Sequence, residues 1–328
     1  RRDMGCVVRR IAARGRRLVE PVEPAPADLA AAAAGERAGG VYAAFGTWHD
    51  VRVIRLGDHF DRLEDSAARL GFDLSLDRDL VRRELCEVLR EAGLRSARLR
   101  LAAHPDDRTA SGDPVLTLTA EPFAGPSPEV RAHGVSCRTA PHAARANPRA
   151  KQTSWLADRA HLGDGDARPT SPGAARVHHA PYEWLLLDDE ERILEGASSN
   201  FYAVFPGAGA TGQGPASGAA TGPGAAPRGG GAFELRTAGE GILPGIARSI
   251  VLEVAPGVAT LRLVAPRVAE LSEAREAFLT SSSRGVVPVV RIDARSVGSG
   301  EPGPVTREIA RRYDARAAEL EEPLCADD

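Results

Sequence analysis

Residues 183–205 read EWLLLDDEERILEGASSNFYAVF, and this stretch is the clearest guide to the fold. Three short apolar runs are separated by an acidic turn at 188–191 and by a polar bend around 197–200. Apolar runs of this length between turn residues are typical of buried strands. The stretch therefore predicts three successive strands with short connections, which belong to one sheet.

The region before this stretch predicts a smaller unit of helices and strands. Residues 40–59, GVYAAFGTWHDVRVIRLGDH, predict a hairpin with its turn at His49-Asp50. Two amphipathic helices follow, one capped by Asp58 and ending at Gly71, the other capped by Asp77 and ending at Gly93. Alternating apolar residues at 97–103 and 115–120 then predict two antiparallel strands packed against those helices.

Downstream of this smaller unit, VRAHGVSCRTA at 130–140 predicts a strand, and QTSWLADRAHL at 152–162 predicts the start of a helix. Residues 241–255 and about 305–320 predict two further helices, and 277–283 and 287–294 two further strands.

The length of 328 residues suits two domains. Residues 1–39 alternate Pro-rich and Ala-rich pieces and predict a loosely ordered N-terminal arm. Residues 40–125 form the predicted small α/β domain, and 126–328 the larger one. Within the larger one, residues 206–231 are almost entirely Gly, Ala, Pro, Ser and Thr, which predicts a mobile, solvent-exposed insertion.

Composition excludes several classes of partner. The net charge of −3, with both signs interspersed, offers no basic face for nucleic acid, which leaves a small molecule as the expected partner. No apolar stretch is long enough to span a membrane.

The cysteines, at positions 6, 86, 137 and 325, are far apart and lack metal-ligand spacing. We expect reduced thiols in a cytoplasmic protein, with neither disulfide nor zinc.

Lys151 is the single lysine among 42 basic residues, and every other one is arginine. A guanidinium stays protonated at ordinary pH, whereas a desolvated lysine amine can act as nucleophile, base or Schiff-base former. Lys151 is therefore a candidate catalytic residue. The alternative is a surface lysine left by compositional drift toward arginine.

Five separated stretches, taken together, resemble the class IV aminotransferases. They are HFDRLEDSAARL at 59–70, Lys151 with an aromatic four residues later, ILEGASSNFY at 193–202, GILPGIAR at 241–248, and AFLTSSSRGVVPVV from 277. This family comprises the fold type IV pyridoxal-phosphate enzymes, including branched-chain and D-amino acid aminotransferases and aminodeoxychorismate lyases. The resemblance implies an α+β protein with a small N-terminal α/β sandwich and a larger C-terminal pseudo-barrel. It also implies a homodimer.

The resemblance implies a cofactor site for pyridoxal 5′-phosphate. Lys151 would form the Schiff base with the cofactor, and Glu195 would pair with its pyridine nitrogen, so that the ring draws electrons from the reacting carbon. Leu243 would pack beneath the ring. The residues implied for the phosphate are Arg62, Ser282 and the N–H groups of Ile246 and Ala247. Related enzymes usually carry a threonine where Ala247 stands, so one hydroxyl contact is missing.

Substrate contacts follow the same resemblance. The backbone at Ser282 and Ser283 would face the substrate carboxylate, and Arg100 occupies a position that helps branched-chain enzymes hold a dicarboxylate co-substrate. The aromatic candidates for the side-chain pocket are Tyr42, Phe45, Trp48 and Trp155, each of which could equally be core. Branched-chain enzymes carry Glu and Arg where Ala43 and Gly46 stand here, which puts branched-chain specificity in doubt.

The sequence thus predicts a ping-pong aminotransferase that moves an amino group from an amino acid to a 2-oxo acid. Two alternatives remain at this stage. One is a β-elimination of the aminodeoxychorismate lyase type, and the other is a catalytically idle homologue that binds the cofactor.

Overall fold

The structure, a computed structural model, describes residues 6–14, 20–21, 26–49, 51–159, 162, 181–207 and 232–325. The chain divides into two compact units. Unit 1 comprises residues 1–125, 147–160 and 317–328, and unit 2 comprises residues 126–146 and 161–316.

The helices are α1 Leu29–Ala34, α2 Leu56–Arg69, α3 Arg78–Ala92, α4 Pro128–His133, α5 Ser154–Asp158, α6 Ile246–Val254 and α7 Pro304–Leu320. The strands are β1 Val7–Ala12, β2 Glu20–Pro21, β3 Val41–Gly46, β4 Arg52–Ile54, β5 Ala97–Arg108, β6 Pro114–Pro122, β7 Val135–Ala140, β8 Glu183–Leu187, β9 Ile193–Gly196, β10 Asn200–Pro206, β11 Phe233–Arg236, β12 Thr260–Arg262, β13 Glu276–Ser281, β14 Gly285–Ile292, β15 Arg295–Ser296 and β16 Glu321–Pro323.

Unit 1 is built on a sheet with the strand order β2-β1-β6-β5-β3. Alternate residues of β3 and β5, among them Ala43, Phe45 and Leu101, join the core cluster that contains the buried faces of α2 and α3. Burying each large apolar side chain in such a core contributes about 1.5–3 kcal/mol. The opposite face of β3 and β5 presents Tyr42 and Arg100, which are diagonal neighbours across the strand pair.

The two helices of this unit differ in how well the sequence predicts their start. Asp77 caps α3 and accepts a hydrogen bond from Leu80 N at 3.0 Å, as predicted. By contrast, Asp58 lies in the first turn of α2 and not at its cap, so that prediction is wrong. The helix begins at Leu56 because the Glu322 carboxylate accepts a hydrogen bond from Leu56 N at 2.8 Å. This contact comes from the far end of the chain, where no local pattern could indicate it.

Three further expectations for unit 1 need correction. The predicted β3–β4 hairpin is reduced to a single bridge between Trp48 and Arg52, because β4 pairs instead with β16 near the C-terminus. The N-terminal segment, expected to be loosely ordered, supplies β1, which pairs with β6 along its whole length. Cys86 and Cys325 are joined by a disulfide, whereas reduced thiols were expected.

Unit 2 contains the three strands predicted from residues 183–205, now seen as β8, β9 and β10. The strand order is β12-β11-β10-β13-β14-β7-β8-β9, and β9 also pairs with β10 at Glu195 and Asn200. This last pairing closes β10, β13, β14, β7, β8 and β9 into a ring. The closed ring corresponds to the expected pseudo-barrel, and its interior is filled by apolar side chains such as Phe201 and Leu279.

One boundary in unit 2 differs from the sequence expectation. Residues 130–133 belong to α4 and not to a strand, because Ser127 caps the helix and Pro128 opens it. Gly134, at φ 74°, then turns the chain into β7. The predicted insertion at 206–231 lies outside the described residues from position 208 onward. Among the helices that the structure describes, none is long and apolar enough to cross a membrane.

Candidate active site

Lys151 is held by its backbone from both sides in unit 1. Its N–H donates to Ser66 Oγ of α2 at 3.1 Å, and its carbonyl accepts from Tyr42 N of β3 at 2.9 Å. Its ammonium lies 4.7 Å from the centroid of the Tyr42 ring, and the residue is half-buried. The fold therefore fixes the backbone of Lys151, and the half-buried side chain lies against the ring of Tyr42.

Arg62 and His59 lie one turn apart on α2. Arg62 Nη2 lies 3.4 Å from His59 Nδ1, and Ser66 Oγ donates to the Arg62 carbonyl at 2.7 Å. His59 has no solvent exposure, and its ring packs 4.5 Å from that of Phe45. Burial, and then the positive charges of Arg62 and Lys151, lower the pKa of His59 well below its ordinary value, so the imidazole is neutral.

The neutral imidazole of His59 leaves one polar atom without a partner. Because His59 Nδ1 faces the Arg62 guanidinium, its proton belongs on Nε2. Nε2 is buried and makes no hydrogen bond to any residue that the structure describes. A buried, unsatisfied donor beside an arginine fits a place where a group rich in acceptor oxygens binds.

Arg100 is close to the same lysine but already has a charged partner. Its Nε and Nη2 donate to the two carboxylate oxygens of Glu36 at 2.7 and 2.5 Å. Its guanidinium carbon lies 3.6 Å from the centroid of the Tyr42 ring, the ring that Lys151 also contacts. Burial lowers the pKa of Arg100, but the bonds and charge of Glu36 outweigh that effect and the pKa is raised.

The aromatic residues predicted to line a substrate pocket differ in their positions in this unit, and the alternation of side chains along β3 separates Tyr42 from Phe45. Tyr42 is half-buried and faces Lys151 and Arg100. Phe45 points to the opposite side and is 1% exposed in the core, so it belongs to the packing against α2. Trp155 is buried in α5, four residues after the lysine, and Trp48 is half-buried at the bridge to Arg52.

Glu195 is the central charged residue of unit 2. Its side chain is 2% exposed, and Arg145 Nε lies 2.8 Å from its Oε1. Its Oε2 accepts from Leu243 N at 3.1 Å and from Asn200 Nδ2 at 3.5 Å. Arg145 also donates to the carbonyl of Ala197 at 3.1 Å, in the bend that follows Glu195. A buried carboxylate with a cation and N–H donors around it is stabilised in its ionised form.

Leu243 and the start of α6 are tied to Glu195 through Asn200. Asn200 Nδ2 donates to the Leu243 carbonyl at 3.0 Å. A Cβ at Gly245, the residue before Ile246, would lie 2.2 Å from Asn200 Oδ1, so any larger residue there would displace the Asn200 side chain. Ile246 and Ala247 open α6, whose cap residue contributes no side-chain hydrogen bond. The helix therefore begins with backbone N–H groups, which favour an anion.

Ser282 and Ser283 form the tip of the connection between β13 and β14, and both are half-buried. The next residue, Arg284, holds this turn through hydrogen bonds of its side chain. Its Nε donates to Ser281 Oγ at 2.9 Å, and its Nη2 donates to Glu183 Oε2 at 3.1 Å and to Ser198 Oγ at 2.7 Å. The network connects the serine turn to the bend that follows Glu195.

The structure thus groups the predicted residues within each unit. Unit 1 brings Lys151 together with Arg62, Tyr42 and Arg100, and unit 2 brings Glu195 together with Leu243 and the start of α6. Sequence reasoning missed several partners of these residues, namely Glu36, His59, Arg145, Asn200 and Arg284. His59 and Asn200 lie within the recognised stretches, HFDRLEDSAARL and ILEGASSNFY, which could have singled them out. Glu36 and Arg145 lie in stretches without a recognisable pattern.

Comparison with known proteins agrees with this arrangement. The sequence model of the family described as "Amino-transferase class IV" matches residues 43–292. The chain belongs to the class IV aminotransferases. The aminotransferase prediction is thereby confirmed, and neither of its alternatives is favoured.

Two curated relatives and one solved structure illustrate the similarity. The chain is 26% identical over 287 residues to the branched-chain-amino-acid aminotransferase of Pseudomonas aeruginosa, covering 82% of this chain and 80% of that one. It is 27% identical over 277 residues to the D-alanine aminotransferase of Bacillus licheniformis, covering 82% and 84%. The structure of the Escherichia coli branched-chain amino acid aminotransferase matches with a TM-score of 0.69 and 20% identity, covering 98% and 100%. The predicted fold class is confirmed.

Proposed function

We propose that this aminotransferase uses pyridoxal 5′-phosphate, held by Lys151, to move an amino group from an amino acid to a 2-oxo acid. The observation that carries the proposal is the position of the single lysine, fixed between Ser66 and Tyr42 in a chain of this family. A lone lysine in an arginine-rich protein supplies the one amine that can lose its proton and bond to an aldehyde.

Each unit, taken by itself, contains residues of the kinds that suit the cofactor. In unit 1, Arg62 and the unsatisfied Nε2 of His59 suit a phosphate, which accepts several hydrogen bonds and carries negative charge. In unit 2, the N–H groups at Ile246 and Ala247 and the hydroxyl of Ser282 are also groups that suit an anion, although Ala247 supplies no hydroxyl. Leu243, bonded to Glu195 through its N–H, would support the ring of the cofactor.

When bound, the cofactor supplies an electron sink for the carbon that loses its proton. Glu195 would hold a proton on the pyridine nitrogen, and Arg145 would keep Glu195 ionised so that it can do so. Lys151 Nζ would carry the proton between the substrate carbon and the cofactor, which requires an amine that is neutral for part of the cycle. The N–H groups at Ser282 and Ser283 would bind the substrate carboxylate, and Tyr42 and Trp155 would border its side chain.

The direct test is to purify the protein with pyridoxal 5′-phosphate, reduce it with borohydride and locate the label by mass spectrometry. We expect the label on Lys151, a yellow colour before reduction, and amino transfer from at least one of a panel of L- and D-amino acids to pyruvate or 2-oxoglutarate. Lys151→Arg should keep the circular dichroism spectrum and lose both label and transfer. Transfer by a folded Lys151→Arg protein would refute the proposal.

A homodimer and a cytoplasmic location complete the proposal. Light scattering after size-exclusion chromatography tests the dimer, and a monomer would refute it. Cell fractionation tests the location, and it is informative because disulfides such as Cys86–Cys325 are rare in the cytosol of most organisms.

A further inference from the structure

Glu36 is a half-buried carboxylate that the proposed reaction does not use. It follows α1, and its two oxygens accept hydrogen bonds from Nε and Nη2 of Arg100. The Glu36 side chain is 13% exposed and the Arg100 side chain 6%. A bidentate pair in this geometry is the arrangement in which arginine binds carboxylate ligands. Glu36 therefore occupies the position that a second carboxylate of a substrate would take on Arg100.

The loop that carries Glu36 is fixed to the segment of Lys151. Thr153 Oγ donates to the Arg37 carbonyl at 2.6 Å and accepts from Gly40 N at 3.1 Å. His104 Nε2 lies 3.0 Å from the Ala38 carbonyl. Because these bonds hold the loop in place, Glu36 has little entropy to lose on binding Arg100. A free dicarboxylate would have to compete with this tethered carboxylate.

Arg100 lies close enough to the proposed reacting centre for this competition to matter. Its guanidinium and the ammonium of Lys151 both contact the ring of Tyr42, at 3.6 and 4.7 Å from the centroid. A substrate bonded near Lys151 would point a short side chain along this ring. At its end the side chain would meet an arginine whose charge Glu36 cancels.

We infer that Glu36 is a specificity-determining residue that masks Arg100 and excludes substrates with a second carboxylate. The inference rests on the proposed function, because it concerns the side-chain end of that same site. Substrates with a single carboxylate, such as alanine and pyruvate, place an uncharged side chain beside the neutral Arg100–Glu36 ion pair. Glutamate and 2-oxoglutarate place a second carboxylate, which carries the same charge as Glu36, beside it. Arg100, which the sequence predicts to bind a dicarboxylate, would thus not bind one while it is paired with Glu36.

The test compares the wild type with Glu36→Gln in the cofactor-loaded protein. Glutamine keeps an oxygen acceptor for Arg100 and removes the negative charge. We expect kcat/KM for 2-oxoglutarate relative to pyruvate to rise at least tenfold. We also expect glutarate, an unreactive dicarboxylate, to bind at least tenfold more tightly by calorimetry, while butyrate binding is unchanged.

Two further variants make the outcome specific. Asp107→Asn removes an ion pair with Arg37 in the same region without touching Arg100 and should leave both ratios unchanged. Glu36→Gln combined with Arg100→Gln should lose the gain. Wild-type preference for 2-oxoglutarate over pyruvate, or unchanged glutarate binding in Glu36→Gln, would overturn the inference. Because glutarate binding needs no turnover, it tests Glu36 even if the transfer reaction itself is absent.

Discussion

The disulfide between Cys86 and Cys325 gives the sharpest prediction about stability. It joins α3 to the C-terminal segment across 239 positions of sequence. That segment already makes non-covalent contacts, since Leu324 N donates to the Val51 carbonyl at 3.0 Å and Glu322 caps α2 at Leu56. We therefore expect reduction to loosen unit 1 and not to unfold it outright.

The magnitude follows from the length of the closed loop. Chain entropy for a loop of this size gives about 5.5 kcal/mol at 25 °C as the upper value. Measured contributions of disulfides are usually smaller, about 2–4 kcal/mol. For a unit of this size, that loss lowers the melting temperature by about 5–15 °C.

Two assays check this prediction. Thiol titration of the denatured, unreduced protein should find two free thiols, Cys6 and Cys137, in place of four. Calorimetry should give Cys86→Ala, Cys325→Ala and the double variant the same lowered melting temperature, because either single change removes the whole bond. Four titratable thiols in the unreduced protein would refute the reasoning, as would two single variants that differ from each other by as much as either differs from the wild type.

Three other changes follow from the site. His59→Asn should flatten the pH dependence of the free energy of unfolding, measured by urea titration, below pH 6.5. In that range His59 is neutral in the native protein and protonated in the unfolded chain, so the unfolded state binds one more proton. The free energy of unfolding of the wild type therefore falls by about 1.4 kcal/mol per pH unit as the pH is lowered. An equal slope in the variant would contradict this. Arg145→Met should lower the free energy of unfolding by about 3–5 kcal/mol by leaving Glu195 buried without its cation. Adding Glu195→Gln should recover most of that loss in urea titrations, and no recovery would show that the charge is not the cause. Gly245→Ala should weaken pyridoxal 5′-phosphate binding at least tenfold by fluorescence titration, because its Cβ would lie 2.2 Å from Asn200 Oδ1. Gly57→Ala, whose Cβ would meet nothing within 4 Å, is the matched control.

Local patterns were sufficient for much of the fold. The β8–β9–β10 run, the Asp77 cap and the stop of α3 at Gly93 all follow from neighbouring residues, and the structure confirms them. The early start of α2 and the partner of β4 both depend on residues 321–322, more than 250 positions away. Tertiary contacts of this kind override the nearest capping residue or hairpin signal, and no local window contains them.

The candidate site divides in the same way. Motif spacing indicated Lys151, Arg62 and Glu195, because each lies in a recognisable stretch. The oppositely charged residues that pair with Glu195 and Arg100 were found only in the structure. Arg145 reaches Glu195 across 50 positions of sequence, and Glu36 reaches Arg100 across 64.

The contrast between Arg62 and Arg100 shows why partners decide function. In the sequence both are arginines expected to meet an anionic ligand. In the structure Arg62 contacts His59, which burial keeps neutral and which therefore does not cancel the guanidinium charge. Arg100 contacts Glu36, which cancels its charge and accepts hydrogen bonds from its Nε and Nη2. We therefore propose opposite roles for two arginines near one lysine: Arg62 binds an anion, whereas Arg100 is masked by Glu36.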